Sequence, residues 1–122
     1  MESPKVLDLD ALRALRELQE PDTPDIVLDV VRMFVDDSEQ CRVAAERALA
    51  AGNASALAFS AHRLRGGAAL LGLCQLQQTA DDLERVANRG GPTEWAARLH
   101  RMRDALAEAN AALRTASSVR AE

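Results

Sequence analysis

One stretch of the sequence brings together the side chains best suited to chemistry. It covers residues 61–72 and places His62 three residues before Arg65, followed at once by Gly66 and Gly67. Imidazole is a nucleophile near neutral pH, and a guanidinium offers several N–H donors to phosphate oxygens. Each glycine costs a helix interior roughly 1 kcal/mol relative to alanine. The glycines therefore indicate that this part of the helix serves something other than helix stability.

His62 is expected to face solvent, because helical geometry places it opposite the apolar stripe of its own helix. Arg65, about one turn further on, is then within reach of an anion held at the imidazole. Gly66 lies close to the row of the histidine and is expected to clear the approach of a partner. Gly67 is turned further towards the core, so close packing of helices explains this glycine as well as clearance for a partner does. The residues predicted to contact a partner on this face are Ala58, Phe59, Arg63, Gly66, Gly67, Ala69 and Leu70.

Simpler interpretations of the two histidines stay open. A single histidine on a helix surface is usually a solvated side chain, and only the neighbouring glycines favour a functional reading of His62. His100 lies among three arginines with no glycine nearby, so a solvated position is favoured for it. Neither histidine has a second His or Cys three or four residues away, and we therefore predict no metal site.

The rest of the sequence predicts the helices that position this stretch. Apolar residues recur at intervals of three and four, and the segments are separated by Pro21, Gly52-Asn53, Gly72 and the loop at 90–92. Thr23 is predicted to be the N-cap of the second helix. The predicted helices cover about residues 9–20, 24–51, 54–71, 73–89 and 93–116. Short links require antiparallel neighbours, so the expected fold is all-α, an antiparallel four-helix bundle with an additional short N-terminal helix.

Length and composition indicate a single domain and argue against several classes of protein. A chain of 122 residues with 48% apolar content is expected to form one domain over 1–122, with its core at about 8–116 and a fraying tail at about 117–122. The net charge of −4 argues against a general nucleic-acid binder. No segment approaches the roughly 20 apolar residues of a membrane span, and no signal peptide is evident. Cys41 and Cys74 are expected to be buried thiols of a cytoplasmic protein, and the ends at Met1 and Glu122 favour a stand-alone one.

The central stretch resembles the signature of the histidine-containing phosphotransfer (HPt) domain, approximately A-H-x-L-K-G-S/A-A/S-x-x-L/I-G. The residues that match in order and spacing are Ala61, His62, Leu64, Gly66, Ala68, Leu71 and Gly72. The long preceding helix with Phe34, the turn at Gly52-Asn53 and the pair Leu83-Glu84 are also similar, and the resemblance covers roughly residues 8–116. The sequence departs from the family pattern at Arg65, where lysine is usual, at Gly67, where serine or alanine is usual, and at Asn53, where aspartate is common.

This resemblance implies a function in two-component signalling. His62 would carry a phosphoryl group between the aspartates of receiver domains, with Arg65 stabilising the added charge and the outer ring nitrogen as the family's usual reacting atom. The chain would be a phosphocarrier and not an enzyme, because it is too short to include an ATP-binding kinase domain. Its implied partners are response-regulator receiver domains, with a hybrid histidine kinase as a further candidate. It would act as a monomer without a cofactor, the Mg²⁺ ion belonging to the receiver.

Two other classes of function stay open on the sequence. The first is a helical adaptor or inhibitor that docks a receiver or a histidine kinase without carrying phosphate. The second is a structural bundle in which the apolar rim of Phe59 and Leu70 forms a homodimer seam. Phosphate labelling of the chain separates the carrier from the adaptor.

Overall fold

The fold is a bundle of helices, seen in a computed structural model that describes the backbone of residues 4–121 and the side chains of residues 4–116. Those residues contain no strand and form five helices, α1 (Leu9–Glu17), α2 (Ile26–Ala51), α3 (Ala54–Leu70), α4 (Cys74–Arg89) and α5 (Pro92–Ala121). Short connections make α2 to α5 antiparallel neighbours, with the most extensive packing between α3 and α4. The predicted all-α bundle with a short extra N-terminal helix is confirmed.

The core is built from the predicted apolar stripes of α2 to α5. Trp95 is buried and its indole Nε1–H donates to the Val86 carbonyl at 2.7 Å, whereas the neighbouring Ala96 is exposed. Cys41 is buried as predicted, but Cys74, the first residue of α4, is only half-buried. The largest fully buried apolar side chains are Leu12, Val27, Leu57, Leu64, Leu71, Leu73, Leu76, Leu83, Met102 and Leu113.

The N-cap of α2 differs from the prediction. Asp25, and not Thr23, caps this helix, because its carboxylate accepts the backbone N–H of Val27 at 3.0 Å and of Leu28 at 3.2 Å. The Thr23 hydroxyl instead donates to the Glu20 carbonyl at 2.6 Å. The helix therefore begins two residues later than predicted.

Helices α1 and α5 also differ in length from their predictions. α1 ends at Glu17, not at residue 20, because the side chain of Gln19 leaves the helix to bind the start of α2. Its amide oxygen accepts the Ile26 N–H at 2.7 Å, and its amide nitrogen donates to the Pro24 carbonyl at 2.9 Å. α5 continues to Ala121, beyond the predicted end near residue 116. The side chains of the predicted tail at 117–122, and the whole of its last residue, lie outside the described part of the chain.

The turns at Gly52-Asn53 and at Gly72 lie where the sequence predicts that helices are separated. Gly52 ends α2 with a φ of +66°, and the Asn53 side chain caps α3 by accepting the Ala56 N–H at 3.0 Å. Gly72 also has a positive φ, of +72°, in the α3–α4 turn. The Asp8 N–H donates to the Gly72 carbonyl at 2.7 Å, so the segment before α1 is held against this turn.

None of the helices in the described residues has a stretch both long enough and apolar enough to cross a membrane.

Candidate functional site

The α3–α4 hairpin brings four charged or titratable side chains together. His62 lies eleven residues before Leu73 and Glu84 eleven residues after it, while Arg65 and Asp81 lie eight residues on either side. In an antiparallel pair of helices, residues equally distant from the turn lie across from one another. From the sequence, Glu84 was identified only through the family resemblance, and Asp81 was not predicted. The equal spacing about the turn was the signal that would have found both.

His62 stands on the surface with one ring nitrogen turned towards α4. Its side chain is 59% exposed, and Nδ1 lies 3.1 Å from Oε2 of Glu84 and 2.9 Å from Nη2 of Arg65. A ring nitrogen donates or accepts one hydrogen bond at a time, so only one of these contacts is a hydrogen bond in a given tautomer. Oε2 of Glu84 is a charged oxygen that can only accept, whereas the guanidinium of Arg65 also pairs with Asp81 and with the other oxygen of Glu84. We therefore infer that Nδ1 carries the ring proton and donates it to Glu84. This tautomer leaves the lone pair of Nε2 free.

Arg65 is an ion-pair partner of two carboxylates on α4. Its Nη1 donates to Oδ1 of Asp81 at 3.0 Å, and its Nη2 lies 3.4 Å from Oε1 of Glu84. The other oxygen of Asp81 accepts from Arg85. The hydrogen bond from Arg85 and the charge of Arg65 together lower the pKa of the Asp81 carboxyl, which stays ionised. The positive charge of Arg65, which was predicted to meet an anion at the imidazole, is therefore already paired with the carboxylates of Asp81 and Glu84.

Arg63 connects the same face to α2. Its Nη2 donates to Oδ1 of Asp37 at 2.5 Å, and both side chains are close to half exposed. Arg63 is among the residues predicted from the sequence to contact a partner on this face. The structure gives it a partner within the chain, and a docking role stays a prediction.

The apolar side chains around His62 lie towards α2. Phe59 is 63% exposed and Leu70 is 59% exposed, and both share the side of α3 on which Arg63 meets α2. Met33 on α2, which is 70% exposed, lies one turn before Asp37 and extends this surface. It was not predicted from the sequence. His62 therefore separates an apolar flank on the α2 side from a charged flank on the α4 side.

The two glycines beside His62 have different surroundings. A Cβ added at Gly66 would meet nothing within 4 Å, so the chain itself leaves this space open. A Cβ added at Gly67 would lie 3.2 Å from two ring atoms of Phe34. Of the two predicted explanations for Gly67, close packing against α2 is the one that the contact supports. Of the remaining predicted contact residues, Ala58 is half-buried and Ala69 is exposed.

An open cavity of about 480 Å³ adjoins the charged flank. It leaves Arg65 and Asp81 accessible to solvent and gives the guanidinium room to change partners. The residues that line it are Pro4, Arg65, Cys74, Gln77, Gln78, Asp81 and Arg85. No cluster of three or more metal-ligating side chains is found in the described residues.

His100 lies outside this site. Its Nε2 is 3.5 Å from Oδ2 of Asp104 one turn further along α5, and both side chains are about 70% exposed. This is the solvated helix position predicted for it.

Comparison with known proteins identifies relatives of the chain. A family model described as the Hpt domain matches residues 29–114. The sensory/regulatory protein RpfC of Xanthomonas campestris pv. campestris, in strains 8004 and ATCC 33913, is 37% identical over 76 residues, which are 62% of this chain. The chain spans about a tenth of the length of these curated relatives.

Solved structures of similar fold cover nearly the whole chain. Histidine-containing phosphotransfer protein B (HptB) of Pseudomonas aeruginosa PAO1 superposes with a TM-score of 0.81 at 29% identity, covering 93% of this chain and 95% of that one. MtHPt2 of Medicago truncatula, a histidine-containing phosphotransfer protein, has a TM-score of 0.76 at 24% identity, covering 93% and 80%. A rice protein described as a putative histidine-containing phosphotransfer protein has a TM-score of 0.79 at 20% identity, covering 90% and 79%. At 24% and 20% identity, the likeness to the Medicago truncatula and rice proteins concerns the fold alone.

Proposed function

Because the chain belongs to the Hpt domain family, whose role is histidine phosphotransfer in two-component phosphorelays, we propose that His62 is the residue that carries the phosphoryl group here. Members of this family are phosphocarriers and not kinases, and they interact with receiver domains and histidine kinases. The observation that carries the assignment is the position of His62, exposed and oriented through Nδ1 by a carboxylate. The contact of His100 with Asp104 is longer, at 3.5 Å, and joins two exposed side chains.

The proposed transfer begins at Nε2 of His62. With the proton on Nδ1, the Nε2 lone pair attacks the phosphorus of a receiver's phosphoaspartate, forming an N–P bond as the acyl phosphate P–O bond breaks. The aspartate leaves as a carboxylate, and the positive charge that develops on the ring is stabilised by Glu84 through Nδ1–H. The receiver's Mg²⁺ would neutralise the phosphoryl oxygens, since this reaction depends mainly on positioning and charge. The second transfer reverses these bond changes on another receiver.

Arg65 is proposed to supply positive charge to the phosphoryl group once it is in place. In the resting arrangement its two terminal nitrogens face Asp81, Glu84 and the Nδ1 side of the ring. Contact with a group on Nε2 requires the guanidinium to exchange one of these partners for a phosphoryl oxygen. A flexible ion pair at a solvent-accessible edge permits such an exchange at small cost.

The apolar flank is proposed as the docking surface for a receiver domain. Met33, Phe59 and Leu70 are large and exposed beside His62, which is where a partner must bring its aspartate. Arg63 would add a charged contact at the rim, and the open space at Gly66 would admit the partner's backbone. We further propose that the chain acts as a cytoplasmic monomer without a cofactor of its own.

The carrier function is tested by labelling the purified chain with a phosphorylated receiver in the presence of Mg²⁺. We expect phosphate on the chain in an acid-labile, base-stable form, as the N–P bond of a phosphohistidine requires. The control is the same mixture with unphosphorylated receiver and labelled inorganic phosphate. If several receivers bind the chain tightly and none labels it, the adaptor function is supported and the carrier function is wrong.

Replacing Gly66 with alanine is expected to raise the stability of the chain and to slow phosphoryl transfer. The added methyl group meets nothing within 4 Å in the described part of the chain, so the free energy of unfolding should rise by about 0.5–1 kcal/mol through helix propensity. Transfer from the receiver should slow, because the methyl group occupies the approach to His62. Urea unfolding and single-turnover transfer measure the two effects. In Gly67→Ala the methyl group contacts the Phe34 ring, so a smaller gain in stability is expected. Unchanged transfer in Gly66→Ala would show that the space is not used by the partner.

A further inference from the structure

The carboxylate of Glu84 on α4 contacts both His62 and Arg65 on α3. Glu84 has one oxygen, Oε2, 3.1 Å from Nδ1 of His62, and a second oxygen, Oε1, 3.4 Å from Nη2 of Arg65. Oε1 is buried and accepts no hydrogen bond within the described part of the chain. A buried carboxylate oxygen without a donor is costly, so Oε1 attracts the nearby guanidinium. What prevents a closer pair is the position of Arg65.

That position is set by Asp81. Its Oδ1 accepts from Nη1 of Arg65 at 3.0 Å, and its other oxygen is held by Arg85, so the carboxylate is anchored from both sides. The pKa of Asp81 is lowered, chiefly by the Arg85 hydrogen bond, so the carboxylate keeps its charge at neutral pH. Arg65 is therefore divided between two carboxylates, and neither receives both of its terminal nitrogens.

We infer that Asp81 is a positioning residue for phosphoryl transfer, which holds Arg65 so that Glu84 stays free to accept the Nδ1 proton of His62. Without Asp81, the guanidinium and Glu84 would form the bidentate pair that arginine and carboxylate groups favour. That pair needs both oxygens of Glu84 and would withdraw Oε2 from the imidazole. Nδ1 would then accept from Arg65, whose Nη2 is already 2.9 Å away, and the ring proton would move to Nε2.

The movement of the proton decides reactivity, because a protonated Nε2 has no lone pair for attack. Asp81 touches neither the imidazole nor the phosphoryl group, and it acts only through Arg65 and Glu84. The inference rests on the proposed function for its effect on transfer, but its effect on the ring proton needs no receiver at all. The two effects are therefore measured separately.

The test is Asp81→Asn, with nitrogen-15 NMR of the His62 ring in the full chain at a pH where the imidazole is neutral. Protonated and bare ring nitrogens differ widely in chemical shift, so the spectrum reports the tautomer directly. We expect the wild type to be mainly Nδ1–H and Asp81→Asn to shift towards Nε2–H. Transfer from a phosphorylated receiver should slow by about tenfold, by analogy with the loss of residues that orient metal-binding histidines. Asp81→Glu should recover part of both effects.

The matched control is Asp82→Asn, which removes the same charge from the next residue, also half-buried on α4. It should leave the tautomer and the transfer rate unchanged. Adding Arg65→Gln to Asp81→Asn should return the ring to Nδ1–H, because the group that captures Glu84 is gone. An unshifted tautomer in Asp81→Asn, an equal shift in Asp82→Asn, or no return in the double variant would overturn the inference. A shifted tautomer in a chain that no receiver labels would contradict the carrier function and not the role of Asp81.

Discussion

Replacing His62 with glutamine is expected to abolish phosphorylation of the chain by a phosphorylated receiver. Glutamine retains a polar side chain of similar size on an exposed position, so the bundle should unfold at nearly the wild-type temperature. Its amide nitrogen is not a nucleophile, because its lone pair is delocalised into the carbonyl group. The effect should therefore be complete loss of the acid-labile label, with binding of the receiver retained. Labelling and a binding titration on the same sample measure both quantities.

His100→Gln is the matched control for this experiment. It makes the same substitution on an exposed helix position of α5, where the imidazole has only the distant contact with Asp104. Labelling of this variant should equal that of the wild type. Equal labelling of both variants would mean that the phosphoryl group is on another residue, and loss of label in His100→Gln alone would move the site to α5.

Replacing Gly72 with alanine is expected to give the largest loss of stability among the substitutions considered, about 3 kcal/mol. A φ of +72° strains any residue with a side chain, and an added Cβ would lie 2.6 Å from the Asp8 carbonyl oxygen and 2.8 Å from Cβ of Ala11. The backbone before α1 would have to move. It would lose the hydrogen bond from the Asp8 N–H to the Gly72 carbonyl, and the nearby bond from the Gln75 N–H to the Lys5 carbonyl would be strained.

Gly52→Ala separates the two sources of this loss. Gly52 has nearly the same φ, of +66°, but an added Cβ would meet nothing within 4 Å, so only backbone strain of about 1 kcal/mol is expected. Urea unfolding of both variants measures the difference. If Gly72→Ala and Gly52→Ala cost the same, the contact between the α3–α4 turn and the segment before α1 does not stabilise the fold.

Most of the bundle follows from local rules that act within a few residues. The apolar spacing predicted the helices, and Gly52-Asn53 predicted the turn between α2 and α3, where Gly52 has a positive φ and Asn53 caps α3. The N-cap of α2 was predicted wrongly because two nearby side chains are suited to that position. Thr23 and Asp25 both suit an N-cap, and only the hydrogen bonds of the folded chain select Asp25.

The candidate site was predictable only in part, for a similar reason. The exposure of His62 follows from the period of its own helix, and so does the proximity of Arg65. The carboxylates of Asp81 and Glu84 come from another helix, and their contact with the site depends on how α4 packs against α3. The periodicity of one helix does not contain that information. The sequence therefore predicted that Arg65 reaches an anion at the imidazole, but it did not predict the two carboxylates with which Arg65 is paired.

The equal distances of the site residues from Leu73 make the chain intolerant of changes in length between residues 66 and 80. One inserted residue would turn α4 by about 100° and advance it by about 1.5 Å relative to α3, which carries both carboxylates off the face of His62. Seven inserted residues would nearly restore the rotation but displace the carboxylates by about 10 Å along the helix. Within this hairpin, substitutions alone can vary the site, and insertions or deletions are expected to occur at the 90–92 loop or at the 52–53 turn instead.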